Sequence, residues 1–354
     1  MIKTVAALML VASGCSHGCS RAPSPQAYAC EGASLATERT GAPAVSAYAV
    51  VDFPRGTGTH ELSGTAFDEA TRTLYAIEDK APKIVSFVAS PDYRSWSAGT
   101  PILLSGYLED RWDGEGLVRL PDGSFYVVAN ESEPVLAHFD ARGAFIQTMN
   151  VPSDYAKQIS NKGLESLTLS PDGRYLFSAN EAALASDGPG ATKALGTVVR
   201  IWRHDLTTAK DEEFAYRTEP LGAGGGGGDM GVSELAALSA DELLVLERGF
   251  QHGYGNTVRI FRIDLTGAKN VAGVPSLDDT TAVRDKILVA DLGNLTCAGV
   301  THKGPQPNPI LENYEALTVG PLLPDGRRLL FLASDDNGRS DQVARLLVLA
   351  VTSL

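Results

Sequence analysis

One short design recurs along this chain, and it constrains the fold more strongly than any single residue does. Each copy has an acidic or polar residue, an apolar strand, a turn, a second apolar strand and a closing acidic residue. The two clearest copies span residues 115–131 and 165–181, and each places a Pro-Asp-Gly turn between two glutamates sixteen positions apart. Further copies begin at Ser63, Glu234 and Glu315. Repetition at this period indicates stacked or radial supersecondary units.

The short apolar runs inside the copies are predicted as β-strands, because they are bounded by turn residues. Asp122-Gly123 and Asp172-Gly173 are hairpin signals, since glycine adopts the positive φ that a tight reversal needs. Weaker strands follow each hairpin, and no convincing amphipathic helix is found. A hairpin with two outer strands is a propeller blade. The sequence therefore predicts an all-β fold, a β-propeller of four-stranded antiparallel blades.

Five blades are counted from the repeat, and they start near residues 63, 115, 165, 234 and 315. The later intervals are longer than the first two, so a sixth, degenerate blade around residues 287–291 remains an alternative. Residues 45–53 are expected to supply the outer strand of the final blade, which would close the ring without an unpaired edge.

The first residues of the chain resemble a bacterial lipoprotein signal peptide. An Ala-Ser-Gly-Cys sequence that ends at Cys15 is similar to a lipobox, so Cys15 is the predicted lipidation site. Residues 1–14 are assigned to the signal, 15–43 to a flexible tether and 44–354 to the propeller. We expect a lipid-anchored protein of the bacterial cell envelope that faces the periplasm or the exterior. Cleavage without lipidation, which would give a secreted soluble protein, is the alternative.

The acidic balance of the chain limits its partners. Its formal net charge is −13 and it has no basic cluster. Electrostatic binding to nucleic acid or to anionic lipid requires a Lys/Arg face. We therefore expect no nucleic-acid partner, membrane contact only through a lipid anchor, and a monomer.

Two cysteines beyond the lipobox region lie far apart in the chain, at Cys30 and Cys297. In an oxidising envelope they could form a disulfide that closes the tether onto the domain. The spacing alone does not show that the two residues meet. The chain has no Cys-x-x-Cys pair of the kind that binds metal or performs redox chemistry.

Acidic residues open and close the repeats, and a propeller brings these positions together at one mouth of its central tunnel. So many carboxylates cannot all ionise side by side unless cations compensate them, and oxygen ligands favour calcium. Asp79 of the first copy is expected at the same mouth, and Lys80 and Arg339 are candidate basic partners. Arg111, Lys162 and Arg248 are predicted to bind substrate. The predicted calcium ligands are Glu115, Glu131, Glu165, Glu181, Glu234, Glu247, Glu315 and Asp335.

A purely structural role for these acids is the alternative. Acids at blade mouths commonly accept backbone N–H hydrogen bonds or pair with arginines of the next blade, and Glu247-Arg248 is one candidate pair.

Four segments carry a further signal: Glu115-Gly-Leu with the following Leu-Pro-Asp-Gly, residues 244–250, residues 259–265 and residues 313–337. As a set they resemble the bacterial phytase-like family, whose members are often labelled as having esterase-like activity. The resemblance covers about residues 60–351 and implies a secreted β-propeller. It also links the chain to the alkaline phytases, calcium-dependent propellers that hydrolyse inositol phosphates using bound metal and water.

Two functions of different classes are compatible with these observations. The first is a metal-assisted hydrolase of phosphate or carboxylic esters, phytase-like, with suspected calcium and a small-molecule ester or phosphoester substrate; no catalytic residue is assigned. The second is a non-enzymatic envelope propeller that binds a ligand or a protein at its acidic tunnel mouth. The lack of a recognisable nucleophile, histidine cluster or basic phosphate clamp favours the second.

Overall fold

The computed structural model describes residues 24–30, 43–107, 112–129, 133–159, 162–222, 224–277, 282–283 and 285–354. In chain order its strands are β1 (Gln26–Ala29), β2 (Val45–Phe53), β3 (Leu62–Asp68), β4 (Thr73–Glu78), β5 (Lys83–Ala89), β6 (Trp96–Ala98), β7 (Ile102–Leu103), β8 (Gly114–Arg119), β9 (Phe125–Ala129), β10 (Val135–Phe139), β11 (Phe145–Met149), β12 (Thr168–Leu169), β13 (Tyr175–Ala179), β14 (Val198–Asp205), β15 (Lys210–Arg217), β16 (Gly228–Ala237), β17 (Glu242–Gln251), β18 (Gly255–Asp264), β19 (Ala282–Val283), β20 (Lys286–Asp291), β21 (Tyr314–Leu322), β22 (Arg328–Ser334) and β23 (Ala344–Val351). Two short 3-10 helices span Ser153–Lys157 and Leu292–Asn294.

These strands form five sheets, and the innermost strands of neighbouring sheets contact one another around a ring. The first blade is β3-β4-β5-β6, with β7 also paired to β5, and the second is β8-β9-β10-β11. The third is β12-β13-β14-β15, to which β19 adds in parallel, and the fourth is β16-β17-β18-β20. The fifth is β21-β22-β23-β2, extended by β1. The predicted propeller is confirmed, with five blades of four strands.

The ring closes through its two chain ends. Strand β2 pairs antiparallel with β23, with Val45 opposite Val351, which confirms the outer strand predicted at residues 45–53. Residues 287–291, considered as a trace of a sixth blade, belong to β20, the outer strand of the fourth blade.

The stretch predicted as a flexible tether contains a strand. Residues 26–29 form β1, which pairs with β2 and places Gln26 opposite Asp52. Cys30 directly after β1 forms a disulfide with Cys297, with the two Cα atoms 4.8 Å apart. The strand and the bridge together hold this part of the chain against the fifth blade.

The inner strands approach one another closely around the tunnel. A Cβ atom on Gly64 would lie 2.6 Å from the Glu115 backbone oxygen, and one on Gly116 would lie 2.6 Å from the Leu167 nitrogen. Real Cβ contacts are not this short, so glycine at these two positions permits the inner strands of the first three blades to converge. Within the described ranges, no helix is both long enough and apolar enough to span a membrane.

Candidate metal centre at the acidic mouth

In every blade the innermost strand has one residue more than the strand paired with it, and this extra residue lies near the same end of the tunnel. We call this end the mouth. Such a β-bulge bends the strand and redirects a side chain. In blade order, the equivalent residues at the bulge are Ser63, Glu115, Glu165, Ser233 and Glu315. The second strand of each hairpin also has an equivalent position at the mouth, which is the residue that follows the partner of the bulge. In blades one, three, four and five this residue is Asp79, Glu181, Arg248 and Asp335.

These positions surround a cavity of about 700 Å³ at the mouth. Several blades contribute to its wall, because the innermost strand of each blade starts near the mouth and the second strand ends there. The repeat positions that line it are Asp79, Glu115, Glu165, Glu181, Arg248, Glu315 and Asp335. Lys80, Lys162, Asp229, Arg339 and Asp341 also line the cavity, so acidic groups outnumber basic groups among the described residues.

Glu234 does not line this cavity, although the sequence predicted it at the mouth. It follows the bulge residue Ser233 and is equivalent to Gly64 and Gly116, so its side chain points into the ring of inner strands. One carboxylate oxygen, Oε1, accepts hydrogen bonds of 3.0 Å from the backbone nitrogens of Leu167 and Leu235. Complete burial raises the pKa of Glu234 well above its ordinary value.

Glu247 is also absent from the cavity wall, and Arg248 takes the mouth position of its strand. The Glu247 carboxylate accepts a 2.5 Å hydrogen bond from the Tyr216 hydroxyl and one of 2.8 Å from the Glu219 nitrogen. Lys286 Nζ lies 3.0 Å from Glu247 Oε1. Glu247 therefore links the third and fourth blades. The prediction that it faces the mouth was wrong, because the next residue, Arg248, occupies that position.

Three predicted site residues, Cys15, Arg111 and Glu131, lie outside the described residues.

Arg248 and Lys162 are paired with acids. Arg248 Nη2 lies 3.0 Å from Glu181 Oε1 and 3.4 Å from Glu315 Oε1. Lys162 Nζ lies 2.8 Å from Glu181 Oε2 and 2.8 Å from Asp229 Oδ2. Burial alone would lower the pKa of Arg248, but the attraction of Glu181 and Glu315 outweighs it and raises the pKa. The cavity thus has one arc where buried cations neutralise the acids.

The opposite arc is acidic. One carboxylate oxygen from each of Asp79, Asp113 and Glu115 lies within 4.8 Å of the others, a spacing that could hold a metal ion. Lys80 Nζ lies 2.9 Å from Asp79 Oδ1 and 2.6 Å from Asp113 Oδ1. Burial, and then Asp113 and Glu315, raise the pKa of Asp79 to about 7, although Lys80 lowers it.

Asp335 completes this arc from the fifth blade. It is 2% exposed and lines the cavity. Its Oδ1 accepts a 2.6 Å hydrogen bond from the Asn337 nitrogen, and in the described part of the chain Asp335 forms no ion pair. Burial, followed by repulsion from Glu315 and Asp79, raises the pKa of Asp335 to about 9. We call Asp79, Asp113, Glu115 and Asp335 the cation cluster.

The residues that were not predicted from the sequence include Asp113, which lies beside Asp79 and Glu115, and Asp229, which lines the cavity. Asp113 stands two residues before Glu115, as Asn313 stands two residues before Glu315. If the copies of the repeat are aligned from two residues earlier, the sequence therefore indicates a polar residue at this position. Asp229 comes from the extended start of β16 and has no counterpart in the repeat. Its role depends on the position of Lys162, which no local pattern indicates.

Residues 57–338 match the family model described as "Phytase-like: Esterase-like activity of phytase". No curated protein matches the chain.

Solved structures with similar folds include a luciferin-regenerating enzyme, with 15% identity over 88% of this chain and 96% of that one and a TM-score of 0.38. The periplasmic gluconolactonase of Pseudomonas aeruginosa has 15% identity over 86% of this chain and 92% of its own, with a TM-score of 0.39. A calcium-binding protein, regucalcin, from Agrobacterium tumefaciens has 13% identity over 84% and 93%, with a TM-score of 0.40. Similarities this weak indicate nothing about a shared activity.

Proposed function

Because this chain belongs to the phytase-like family, we propose that it is a hydrolase of phosphate or carboxylic esters that uses calcium bound at the cation cluster. The observation that carries the proposal is Asp335, a buried carboxylate that faces the cavity and has acids as its neighbours. Keeping this carboxyl group ionised without a compensating charge is costly, which is why its pKa is raised. A cation at this place would remove that cost.

The donor set fits a hard cation. Asp79, Asp113 and Glu115 offer oxygens within 4.8 Å of one another, Asp335 of the fifth blade lines the same cavity, and calcium takes six to eight oxygen ligands in flexible geometry. Asp79, Asp113, Glu115 and Asp335 would hold the ion. When bound, calcium supplies positive charge for an anionic substrate and lowers the pKa of a coordinated water.

The remaining cavity residues would bind and orient the substrate. The volume of about 700 Å³ is in the range of small-molecule sites. Glu165 lines the cavity from the third blade and lies outside the cation cluster, so it is our candidate for the general base that accepts a proton from water. Arg248 and Lys162 hold Glu181 in a fixed position next to it.

The test is hydrolysis of p-nitrophenyl phosphate and p-nitrophenyl acetate by the purified protein, in calcium and in excess chelator. We expect turnover of at least one ester in calcium, loss of turnover in chelator, and loss in Asp335→Asn and Glu165→Gln. Glu234→Gln is the matched control, because it changes a buried carboxyl group outside the cavity. Turnover that is indifferent to chelator and to Asp335→Asn would contradict the proposal.

A second candidate function has one observation in its favour. Two of the basic residues predicted to bind substrate, Lys162 and Arg248, already form ion pairs with Glu181. A cavity whose buried cations are paired offers no prepared anion clamp, which suits a non-enzymatic propeller that binds a cationic ligand or protein at this mouth. Binding of such a ligand without turnover across a broad ester panel would favour this function over hydrolysis.

We also propose that the protein works in the bacterial cell envelope, anchored through a lipid on Cys15. The Cys30–Cys297 disulfide supports an oxidising compartment. Metabolic labelling with a radioactive fatty acid should mark the wild-type protein and not Cys15→Ala, and the label should fractionate with membranes. Equal membrane association of both forms would contradict the anchor.

A further inference from the structure

The side chain of Lys80 occupies the cation cluster. Its ammonium group donates to Asp79 Oδ1 at 2.9 Å and to Asp113 Oδ1 at 2.6 Å. These two residues are two of the three whose oxygens lie within 4.8 Å of one another. Lys80 therefore supplies, from within the chain, part of the positive charge that the cluster requires.

An independent observation shows that one ammonium group is not sufficient for this arc. Asp335 is 98% buried at the cavity, and no cationic side chain of the described residues pairs with it. A divalent cation would satisfy both sides of the cluster, whereas Lys80 contacts only Asp79 and Asp113. The carboxylates that coordinate an ion cannot also hold the ammonium group against it, because the two positive charges would repel at contact distance.

Lys80 differs from Lys162 and Arg248, the two more buried cations of the cavity, in its freedom to move. Its side chain is 57% exposed, compared with 23% for Lys162 and 12% for Arg248. Exposed ion pairs are weak and exchange readily, and lysine has a long flexible stem. Lys80 can leave its partners without opening a buried space, while Arg248 and Lys162 cannot.

We propose that Lys80 is an exchangeable occupant of the cation site: calcium displaces its ammonium group from Asp79 and Asp113, and the released group then binds an anionic group of the substrate. The inference rests on the calcium site proposed above. Because Lys80 already lines the cavity, the displaced side chain stays within it. Calcium binding would thereby create the anion-binding residue that the paired Lys162 and Arg248 do not provide.

Calcium titration by calorimetry tests the competition. Lys80→Met removes the competitor, so calcium should bind about three- to tenfold more tightly than to the wild type, the range expected for loss of exposed ion pairs. Lys162→Met is the matched control, because it removes the same charge from the same cavity but its partners are Glu181 and Asp229. If the calcium affinity of the two variants increased equally, the effect would be one of general charge, and the proposed competition between Lys80 and calcium would be wrong.

Chemical labelling of amines measures the displacement of the Lys80 ammonium group directly. An ammonium group held by two carboxylates is shielded from acylation, and a released one is not. With mass-spectrometric detection, the labelling rate of Lys80 by an acylating reagent should rise severalfold when calcium is added. Lys157, which is 54% exposed and paired with Asp154 outside the cavity, is the internal control and should not change. A Lys80 rate that is independent of calcium would overturn the proposal.

Binding of inorganic phosphate, at concentrations that do not precipitate calcium, tests the second step. In saturating calcium, Lys80→Met should bind phosphate about three- to tenfold more weakly than the wild type, while Lys80→Arg should retain binding. If Lys80→Met and the wild type bind phosphate equally, the released group does not bind anions. If the wild type binds no calcium, both this inference and the proposed function fail; if it binds calcium without a change in Lys80 labelling, only the inference fails.

Discussion

Arg248 occupies, in the fourth blade, the position that Glu181 occupies in the third, and its Nη2 lies 3.0 Å from Glu181 Oε1. The same position carries Asp79 in the first blade and Asp335 in the fifth. One basic residue in a ring of acids therefore neutralises one arc of the mouth. The acids across the cavity have fewer basic partners, and this asymmetry is the reason for proposing the cation site in that arc.

Replacement of Arg248 by methionine should destabilise the protein. It would remove the Arg248 cation from Glu315 and leave Glu181 with Lys162 alone, and loss of one partner of a buried ion pair costs on the order of 3 kcal/mol. Urea denaturation in chelator would measure the loss, and calcium should restore part of it. Arg327→Met is the control, since Arg327 pairs with the exposed Asp325 and should change stability by less than about 1 kcal/mol. Equal effects of the two substitutions would contradict this account of the mouth.

Asp335→Asn should have opposite effects in the absence and presence of calcium. In chelator the melting temperature should rise, because the substitution removes a buried carboxyl group whose ionised form is disfavoured by burial and by Glu315 and Asp79. Calcium should raise the melting temperature of the wild type but not that of the variant, because the variant has lost a calcium ligand. Differential scanning calorimetry of both forms would measure this. Asp341→Asn, on the same cavity but exposed and paired with Arg339, should change neither value appreciably; a melting temperature of Asp335→Asn that falls in chelator would contradict the prediction.

Glu312 should make stability depend on pH. Burial, with a smaller contribution from Asp52, raises its pKa from about 4.5 to about 7, although Arg345 opposes the shift. Between these values the unfolded chain has lost a proton that the folded protein retains, so the free energy of unfolding falls as pH rises from about 4.5 to about 7 and is flat above that. The total loss is on the order of 3 kcal/mol.

Glu312→Gln should therefore flatten that part of the pH profile and be more stable than the wild type at pH 8. Denaturant unfolding at several pH values would test it, with Glu69→Gln, an exposed glutamate, as the control. Parallel profiles for Glu312→Gln and the wild type would show that Glu312 does not retain its proton.

Reduction of the Cys30–Cys297 disulfide should lower the free energy of unfolding by about 2–5 kcal/mol, because the bridge restrains the unfolded chain. Cys30→Ser should reproduce the effect of reductant and then be insensitive to it. Because Cys30 follows the edge strand β1, limited proteolysis should cut the chain near residue 30 faster in the variant. Unchanged stability and protease resistance would show that pairing with β2 is sufficient to hold this segment.

Much of the fold could be predicted from the sequence because the information was local. Turn residues such as Asp122-Gly123 mark the inner hairpins, and the apolar strands between turns have the length of blade strands. The closing strand β2 could be predicted because an open propeller would leave an edge strand unpaired. The strand β1 could not, since its neighbours in sequence are Pro, Ser and Ala residues of low strand propensity, and its stability comes from pairing with β2.

The sequence placed acidic side chains at the mouth correctly wherever the register of the repeat was clear. Glu115, Glu165, Glu181, Glu315 and Asp335 line one cavity as the repeat indicated. The fourth blade has a shorter turn, so its glutamates were aligned one residue out of place, and a one-residue slip turns a strand side chain to the other face.

Arg248 and not Glu247 therefore reaches the mouth, which sequence spacing could not reveal.

The pairing of β2 with β23 means that the first strand of the ring and the last are held in one sheet. During synthesis β2 can pair with β1, but the fifth blade cannot form until β21, β22 and β23 have emerged, so this blade is completed after the other four. The ring has a single seam, at which a strand from early in the chain pairs with the last strand. Loss of β23 would therefore leave both β2 and β22 with an unpaired edge.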